Sequence, residues 1–167
     1  MTYPLMMNST TRGDRIDSSD IEIKKAALGD TELITQLVRD SYRQYISAAG
    51  REPLPMNANY RTMISRNEVW VARIRDDIGG VLVIRQVDDH LLLENVAVIP
   101  KLRGLGVGRR LMSFAEEFAV QSDLSEIRLY TNAVMTQNLR YYSNLGYEVT
   151  HRETMDDRHA VFFQKVL

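Results

Sequence analysis

A glycine-rich turn between an apolar strand and an amphipathic helix constrains the fold of this chain more than any other feature. The run from Leu91 to Ile99 is almost wholly apolar, which is typical of a central strand covered on both faces, and Pro100 ends it. Gly104, Gly106 and Gly108 follow at alternate positions. The next residues predict a helix, because apolar side chains recur at helical spacing: Val107, Leu111, Phe114, Ala115 and Phe118.

The strand, the turn and the helix together form an arrangement that binds anions. Small residues let backbone N–H groups point at a phosphate, and the N-terminus of the helix adds partial positive charge. Arg103, Arg109 and Arg110 place side-chain cations around the same turn, which suits a pyrophosphate or a 3′-phosphate. The alternative is that this segment is only a tight connection, which needs its glycines because they can adopt positive φ angles.

The spacing of the glycines narrows the class of phosphate ligand. It does not match GxxxxGK[ST], which excludes a P-loop, and it does not match GxGxxG. A dinucleotide-binding fold would also place the turn after the first strand of a βαβ unit, whereas this turn follows a predicted three-strand meander in mid-chain. An oxidoreductase that binds NAD is therefore the weaker alternative.

Hydrophobic periodicity predicts a mixed α/β (α+β) fold with the element order βααβββαβαββ. We expect turns at 76–80 and 87–89, and Gly146 follows the last helix, where a left-handed cap is usual. The predicted helices lie near 31–48, 57–66, 107–118 and 135–144, and the predicted strands near 21–24, 69–74, 81–84, 91–99, 126–130, 147–155 and 159–166.

Composition excludes several classes of protein. The 167 residues fit one domain, and a formal net charge of -1 gives no basic footprint for nucleic acid. The absence of cysteine excludes disulfides and thiolate metal sites, and it is compatible with a reducing cytoplasm, where we expect the protein. No apolar run approaches the roughly 18 residues that span a bilayer. We predict a flexible, polar tail over 1–20, a single domain over 21–167, and no metal, membrane or nucleic-acid partner.

Three segments resemble parts of the GNAT superfamily of N-acetyltransferases. Arg103 to Gly108 is similar to the family signature R/Q-x-x-G-x-G/A, which lies between a strand and a helix. Leu139 to Tyr147 resembles the second motif, a helix with a tyrosine just before Leu-Gly-aromatic, and Glu94 to Val98 resembles the fourth strand. The resemblance covers about residues 21–167. It implies a mostly antiparallel central sheet of about seven strands flanked by about four helices.

The resemblance also implies acetyl-CoA as the acetyl donor, with direct attack by an amine in a ternary complex. Backbone groups of Val96, Ala97 and Val98 would pair with the pantetheine arm and polarise the thioester carbonyl, where the fourth strand bulges near Asn95 and splays from the fifth. The residues implied to hold the pyrophosphate are Arg103, Gly104, Leu105, Gly106, Val107, Gly108 and Arg109.

Tyr142 matches the general-acid position of the family, from which it would protonate the departing thiolate. Helical spacing places Tyr142 on the face that carries Met135 and Asn138, and it turns Tyr141 away by about 100°. The alternative is that Tyr142 packs in the core with its hydroxyl satisfied.

Glu94 is the only charged residue between Leu91 and Val98, and it matches a position where many relatives carry a catalytic base. Desolvation in an apolar strand raises the pKa of a carboxyl group toward the range of a useful base. The alternatives are a structural ion pair with Arg85, deprotonation of the amine through ordered water, and His90 as the base. His90 lies at a turn beside Asp89, where a histidine is usually solvated.

Asn138 is predicted to contact the pantetheine arm. In many relatives an asparagine with that role lies seven residues before the helix tyrosine, and this chain has Met135 there. Asn138 lies on the same helical face as Tyr142 and is predicted to take its place. Asn132, at the junction of strand and helix, is predicted to be a turn or cap residue.

The acceptor pocket is predicted in the first two helices and their connection. Tyr42, Tyr45 and Met56 are the predicted substrate-binding residues, with Tyr60 close by, and aromatic faces suit a cationic amine. The alternative is ordinary helix packing against a rigid loop. Residues 156–159 are predicted to form a turn and are assigned no chemistry.

The predicted function is transfer of an acetyl group from acetyl-CoA to a primary amine of a small molecule or a peptide, with the acceptor unidentified. A non-catalytic, CoA-binding regulatory module is the alternative, and such a module would tolerate loss of Glu94 and Tyr142. Exposed sheet edges near the C-terminus are compatible with a homodimer.

Overall fold

A seven-stranded mixed sheet runs through the computed structural model, which describes residues 16–167. The strands are β1 Ile21–Lys25, β2 Val69–Ile74, β3 Asp77–Val87, β4 His90–Val98, β5 Glu126–Asn132, β6 Glu148–Met155 and β7 Arg158–Val166. Their order in the sheet is β1-β2-β3-β4-β5-β7-β6. β4 and β5 are parallel, and the other neighbours are antiparallel. The predicted α/β class and mostly antiparallel sheet are confirmed.

The described residues form five α-helices: α1 Thr31–Tyr42, α2 Ile46–Ala49, α3 Tyr60–Ser65, α4 Val107–Gln121 and α5 Thr136–Asn144. The helix predicted over 31–48 is interrupted, because a 3-10 turn at Arg43–Tyr45 separates α1 from the single turn of α2. Gly50 ends α2 in the left-handed conformation, at φ 67°. Gly146 follows α5 at φ 85°, in the left-handed conformation that the sequence predicts.

The hairpin between β2 and β3 turns earlier than predicted. The two residues between the strands are Arg75 and Asp76, and Arg75 adopts φ 58°. Gly79 and Gly80, which were expected in the turn, lie within β3. A Cβ on Gly80 would lie 2.9 Å from Leu111 Cδ1, so this glycine is needed where α4 packs closely on the strand.

The helices cover opposite faces of the sheet. α1 and α3 bury apolar side chains such as Ile34 and Ile64 against one face. α4 buries its apolar stripe, including Leu111 and Ala115, against the other face. α5 joins the core beneath α4 through Tyr142. The sheet therefore separates two layers.

β4 contains a bulge at Glu94. In its ladder with β3, Leu93 pairs with Ile84 and Asn95 pairs with Val83, so Glu94 is an extra residue. The bulge lies one residue before the predicted position at Asn95. Glu94 and Asn95 are the two polar residues within the apolar run, and their polarity alone does not show which of them is the extra residue.

The bulge reverses the faces to which the residues of β4 point. Before it, Leu91 and Leu93 belong to the core beneath α4. After it, Val96 and Val98 contact that core, whereas Ala97 belongs to the core beneath α1 and α3. An added residue shifts the two-residue period of a strand by one, and so moves each later side chain to the opposite face.

β4 and β5 are paired over only the first part of β4. Leu91 to Leu93 pairs with Ile127 to Leu129, and the ladder stops there. The strands part at the bulge, so that one edge of residues 94–98 has no strand partner within residues 16–167. The fold thus creates an opening in the middle of the sheet.

The predicted flexible tail over 1–20 falls partly outside the described residues, which begin at Ile16. Ser18–Asp20 forms a 3-10 turn that leads into β1, and Ile16 packs against the core beneath α4. In the part of the chain that the structure describes, no helix is both long enough and apolar enough to cross a bilayer.

Candidate active site

The opening between β4 and β5 is bordered by the glycine turn and by α5. Gly104 and Gly106 adopt φ 76° and 88°, which side chains of L-residues rarely adopt. Nothing lies within 4 Å of a Cβ built on either glycine, so the backbone conformation requires them and crowding does not. α4 begins at Val107, directly after the turn, and its first N–H groups have no partner within the helix. The turn therefore presents backbone donors to an open space.

The Tyr141 hydroxyl, on α5, lies against Gly108 in the first turn of α4. A Cβ built on Gly108 would lie 2.9 Å from that hydroxyl and 3.6 Å from Val98 Cγ2. The hydroxyl is buried and has no hydrogen-bond partner among residues 16–167. Burial raises the pKa of Tyr141 to about 12, although Arg109 acts in the opposite direction. A buried donor without a partner is a group that a ligand can satisfy.

The Arg103 side chain connects the glycine turn to α1. Its Nη2 donates a hydrogen bond of 2.8 Å to the carbonyl oxygen of Ser41, near the end of α1. The Ser41 hydroxyl donates in turn to the carbonyl oxygen of Val98 at 3.0 Å. The phosphate contact predicted for Arg103 would require it to give up this bond. Arg109, beside the turn, is exposed.

A cavity of about 410 Å³ adjoins the opening on the side of α1 and α3. This volume lies within the range of small-molecule sites, about 300–1,000 Å³. Its walls come from the segment between α1 and α3, from β4 at the bulge, from α5 and from the β6–β7 turn. The lining residues that matter most for chemistry are Tyr42, Glu94, Asn95, Asn138, Tyr142 and Arg158.

Tyr142 lines this cavity, although its neighbour Tyr141 faces the glycine turn. The Tyr142 ring packs against Tyr147 and Phe163, and the residue is 6% exposed. Burial raises the pKa of Tyr142 above its ordinary value, and the nearby hydroxyls of Tyr141 and Tyr45 raise it further. The phenol is therefore protonated at neutral pH and has a proton to donate.

A chain of hydrogen bonds fixes the cavity wall between α1 and α3. The Tyr42 hydroxyl donates to Asn95 Oδ1 at 2.7 Å, and Asn95 Nδ2 donates to the Tyr60 hydroxyl at 3.1 Å. Tyr60 donates to the carbonyl oxygen of Pro55 at 2.7 Å. Burial raises the pKa of Tyr42, and the nearby Tyr142 and Tyr60 add to the effect. Asn95 has no predicted role in the pocket, and its polarity within an apolar run was the available signal.

Glu94 faces the cavity and forms an ion pair with Arg85 on β3. The pairing that the sequence offered as an alternative role is thus present. The Glu94 side chain is 24% exposed, so its carboxylate remains accessible from the cavity. As the extra residue of the bulge, Glu94 lies on the same side of the sheet as Asn95, which also lines the cavity.

Asn138 links α5 to the segment that follows α1. Its Oδ1 accepts a hydrogen bond from the Tyr45 hydroxyl at 3.4 Å, and its Nδ2 donates to the Thr131 hydroxyl at 3.4 Å. Met135 is 4% exposed, with its sulfur 3.5 Å from Asn138 Nδ2. Asn138 is therefore the amide that α5 presents beside Tyr142. Tyr45 contacts this amide but does not line the cavity.

The structure also places three residues that the sequence had singled out. Met56 is 3% exposed and does not line the cavity, so its side chain has no access to an acceptor there. His90, expected to be solvated, is 9% exposed beside Asp89 at the other end of β4 and also lies outside the cavity. Asn132 accepts a hydrogen bond from Val134 N at 3.1 Å and so forms the predicted turn.

Comparison with known proteins identifies a family and a shared fold. The model of the acetyltransferase (GNAT) family matches residues 32–147. An aminoalkylphosphonate N-acetyltransferase of Salmonella typhimurium is 26% identical over 141 residues, which cover 78% of this chain and 86% of that protein. A peptidyl-lysine N-acetyltransferase of Escherichia coli is 29% identical over 120 residues, covering 71% and 74% respectively. The crystal structure of PaiA N-acetyltransferase from Thermoplasma acidophilum in complex with coenzyme A has a TM-score of 0.75 at 18% identity, covering 88% of this chain and 99% of that chain.

Proposed function

The chain belongs to the acetyltransferase (GNAT) family, and on that premise we propose that residues 21–167 form one domain that transfers an acetyl group from acetyl-CoA to a primary amine. The observation that carries the proposal is that two adjacent tyrosines of α5 point to two different places. Tyr141 lies against Gly108 with a buried hydroxyl that has no hydrogen-bond partner among residues 16–167, and Tyr142 lines the cavity. A donor site and an acceptor site that meet at one helix suit a reaction between two substrates.

The residues of the opening fit acetyl-CoA. The free N–H groups at the start of α4 suit a pyrophosphate, and Gly104 and Gly106 keep side chains away from it. The unpaired edge of β4 from Val96 to Val98 suits the amides of the pantetheine arm, which add to a strand edge. The Tyr141 hydroxyl offers one further donor. Bound there, acetyl-CoA supplies the acetyl group as a thioester, and the coenzyme A complex of PaiA supports this choice of ligand.

In the proposed reaction the amine attacks directly, so that the nitrogen–carbon bond forms as the carbon–sulfur bond breaks. Tyr142 donates its phenolic proton to the departing thiolate, and its raised pKa keeps that proton in place until then. Glu94 accepts the proton that the amine loses, while Arg85 holds the carboxylate in position. Asn138 orients the donor beside Tyr142 by using its amide.

The dimensions of the cavity favour a small amine over a peptide as the acceptor, because about 410 Å³ is the size of a small-molecule site. The Salmonella relative is named for aminoalkylphosphonates and the Escherichia coli relative for peptidyl-lysine. The acceptor of this chain is proposed to resemble the first of these in size, with Tyr42 in contact with it.

Turnover of acetyl-CoA with a panel of small amines tests this proposal. The release of the CoA thiol is a clean signal, because the chain contains no cysteine. Wild-type protein is expected to acetylate at least one class of amine. Tyr142→Phe and Glu94→Gln are each expected to lower kcat by about 10²- to 10⁴-fold, with CoA affinity close to wild type.

Glu126→Gln is the matched control, since it breaks the Glu126–Arg128 ion pair on β5 outside the cavity. CoA binding without turnover of any amine would favour a non-catalytic module. Tighter binding of NAD than of CoA would overturn the proposal as a whole. Unchanged turnover in Tyr142→Phe would show that this tyrosine only packs.

A further inference from the structure

Charged side chains line the cavity, and three of the six acidic and basic ones form ion pairs. The acidic members are Glu52, Glu94 and Asp156, and the basic members are Arg51, Arg85 and Arg158, with His159 beside them. Glu94 pairs with Arg85, and Glu52 pairs with Arg39 behind the wall at 2.9 Å and accepts a further hydrogen bond from Asn57. Neither carboxylate therefore neutralises Arg51 or Arg158, the other two arginines that line the cavity.

Arg51 and Arg158 have no carboxylate partner among residues 16–167. Arg51 Nη2 donates to the backbone carbonyl oxygen of Asp156 at 2.7 Å, and the Arg158 guanidinium makes no hydrogen bond or ion pair there. The remaining acid, Asp156, is exposed in the β6–β7 turn. Two guanidinium groups without a carboxylate partner and one exposed carboxylate thus remain. The sum of these unpaired charges in the cavity is positive.

The position of Arg158 places this charge at one end of the cavity. Arg158 begins β7 and is half-buried, two residues before Ala160, which pairs with Asn132 at the end of β5. Arg158 therefore lies about 7 Å beyond that pair along β7, because a β-strand rises by about 3.3 Å per residue. Glu94 and Tyr142 line the same cavity from β4 and α5. A ligand can thus contact the guanidinium and the reacting groups with different parts of its structure.

Resting on the acetyl transfer proposed above, we propose that the acceptor is a small primary amine that also carries an anionic group, a carboxylate or a phosphonate, which Arg158 and Arg51 bind while the amine faces Glu94 and Tyr142. A guanidinium matches the two oxygens of either anion. An acceptor without an anion would displace water from the Arg158 guanidinium and offer it no hydrogen-bond acceptor in return. Such desolvation of a charged group is unfavourable. A diamine would in addition bring a second positive charge toward it.

Matched acceptors test this inference on the wild-type protein. γ-Aminobutyrate and aminopropylphosphonate carry an anion, butylamine has a methyl group at that end, and putrescine has a second ammonium. The two anionic acceptors are expected to exceed butylamine in kcat/KM by about ten- to a hundredfold, as is typical of hydrogen bonds to a charged group. The difference is expected in KM, and putrescine is expected to be the poorest. Comparison of the two anionic acceptors shows which anion the site prefers.

Arg158→Gln is expected to reduce the ratio of kcat/KM between anionic and neutral acceptors to near one. Arg152→Gln is the matched control, because Arg152 is exposed on β6 and does not line this cavity. The thermal unfolding midpoint with and without γ-aminobutyrate gives a second readout, since a ligand raises the midpoint only of a protein that binds it. The rise is expected in wild type and in Arg152→Gln, and not in Arg158→Gln.

The outcomes separate this inference from the function on which it rests. If no amine is turned over, the proposed acetyl transfer itself is overturned. Equal or better turnover of butylamine, putrescine or a lysine peptide would overturn the anionic acceptor and leave the acetyl transfer standing. A preference for anions that persists in Arg158→Gln would overturn the assignment of the site to this residue.

Discussion

Tyr141 and Tyr142 are adjacent in α5, yet their hydroxyls serve different spaces. Successive residues of a helix point about 100° apart, so one ring faces Gly108 and the other lines the cavity. Both phenols are protonated at neutral pH, as a tyrosine of ordinary pKa near 10 also is, and burial raises both pKa values further. They differ in surroundings, since the Tyr141 hydroxyl is buried without a hydrogen-bond partner in the described part of the chain. An unmet donor of this kind is a group that a ligand can satisfy.

Tyr141→Phe is expected to weaken CoA binding by about two- to tenfold, the value of one neutral hydrogen bond. The free protein is expected to keep its stability, because the hydroxyl that is removed has no hydrogen-bond partner among residues 16–167. Calorimetric titration with CoA and urea unfolding measure the two quantities. Tyr147→Phe is the control, since its hydroxyl is also buried but lies beside Glu116. Equal CoA affinity in wild type and Tyr141→Phe would contradict the role.

The residues that the sequence predicted well are those whose role depends on local spacing. The phase of Tyr142 in α5 and the turn at Asn132 belong to this group. Roles that depend on distant contacts were not predictable. Arg103 binds the carbonyl oxygen of Ser41, 62 residues away, and Arg158 reaches the cavity only because the β6–β7 hairpin folds over it.

At the scale of elements, the glycine turn depends on backbone conformation. Gly106→Ala is expected to lower the free energy of unfolding by about 1–2 kcal/mol, because alanine pays that cost in the left-handed region. No atom of the residues that the structure describes lies within 4 Å of the added methyl group, so a clash with them contributes nothing. Urea unfolding measures the loss. Gly29→Ala is the control, since that position is equally open and lacks a positive φ. Equal stabilities of the two variants would show that α4 can begin without the left-handed residue.

The order of the elements was predictable because each has a clear period and a clear breaker. The boundaries that differ have physical reasons that the sequence does not display. Gly79 and Gly80 signal a turn, but packing against α4 requires Gly80, and Arg75 makes the turn with a positive φ instead. The divergence of β4 from β5 comes from a ladder that stops at Leu93. The polar residues Glu94 and Asn95 follow directly, but their polarity alone does not show that the two strands part there.

At the scale of the whole molecule, burial raises the pKa of six tyrosines: Tyr42, Tyr45, Tyr60, Tyr141, Tyr142 and Tyr147. In the unfolded chain a tyrosine ionises near pH 10. Above that pH the unfolded state binds fewer protons than the folded state, so the free energy of unfolding falls as pH rises. This stabilisation is complete below about pH 10 and is lost as the pH climbs toward the folded values.

Urea unfolding between about pH 8 and 11 is expected to show this decline. Tyr142→Phe is expected to make the decline shallower, because it removes one of the groups that ionise only on unfolding. Tyr130→Phe, at a ring that is 41% exposed, is the control and is expected to follow wild type. A flat profile in the wild type, or the same slope in Tyr142→Phe, would contradict the account.

The bulge at Glu94 has a consequence for how the gene can change. Substitution of a codon in β4 alters one side chain at a time. Loss of one codon between Leu93 and Val96 would remove the extra residue. Each later side chain of β4 would then point to the opposite face of the sheet, so that Val96 and Val98 would leave the core beneath α4 and Ala97 would leave the core beneath α1. Descendants of this gene are therefore expected to vary β4 by replacement and to keep its length.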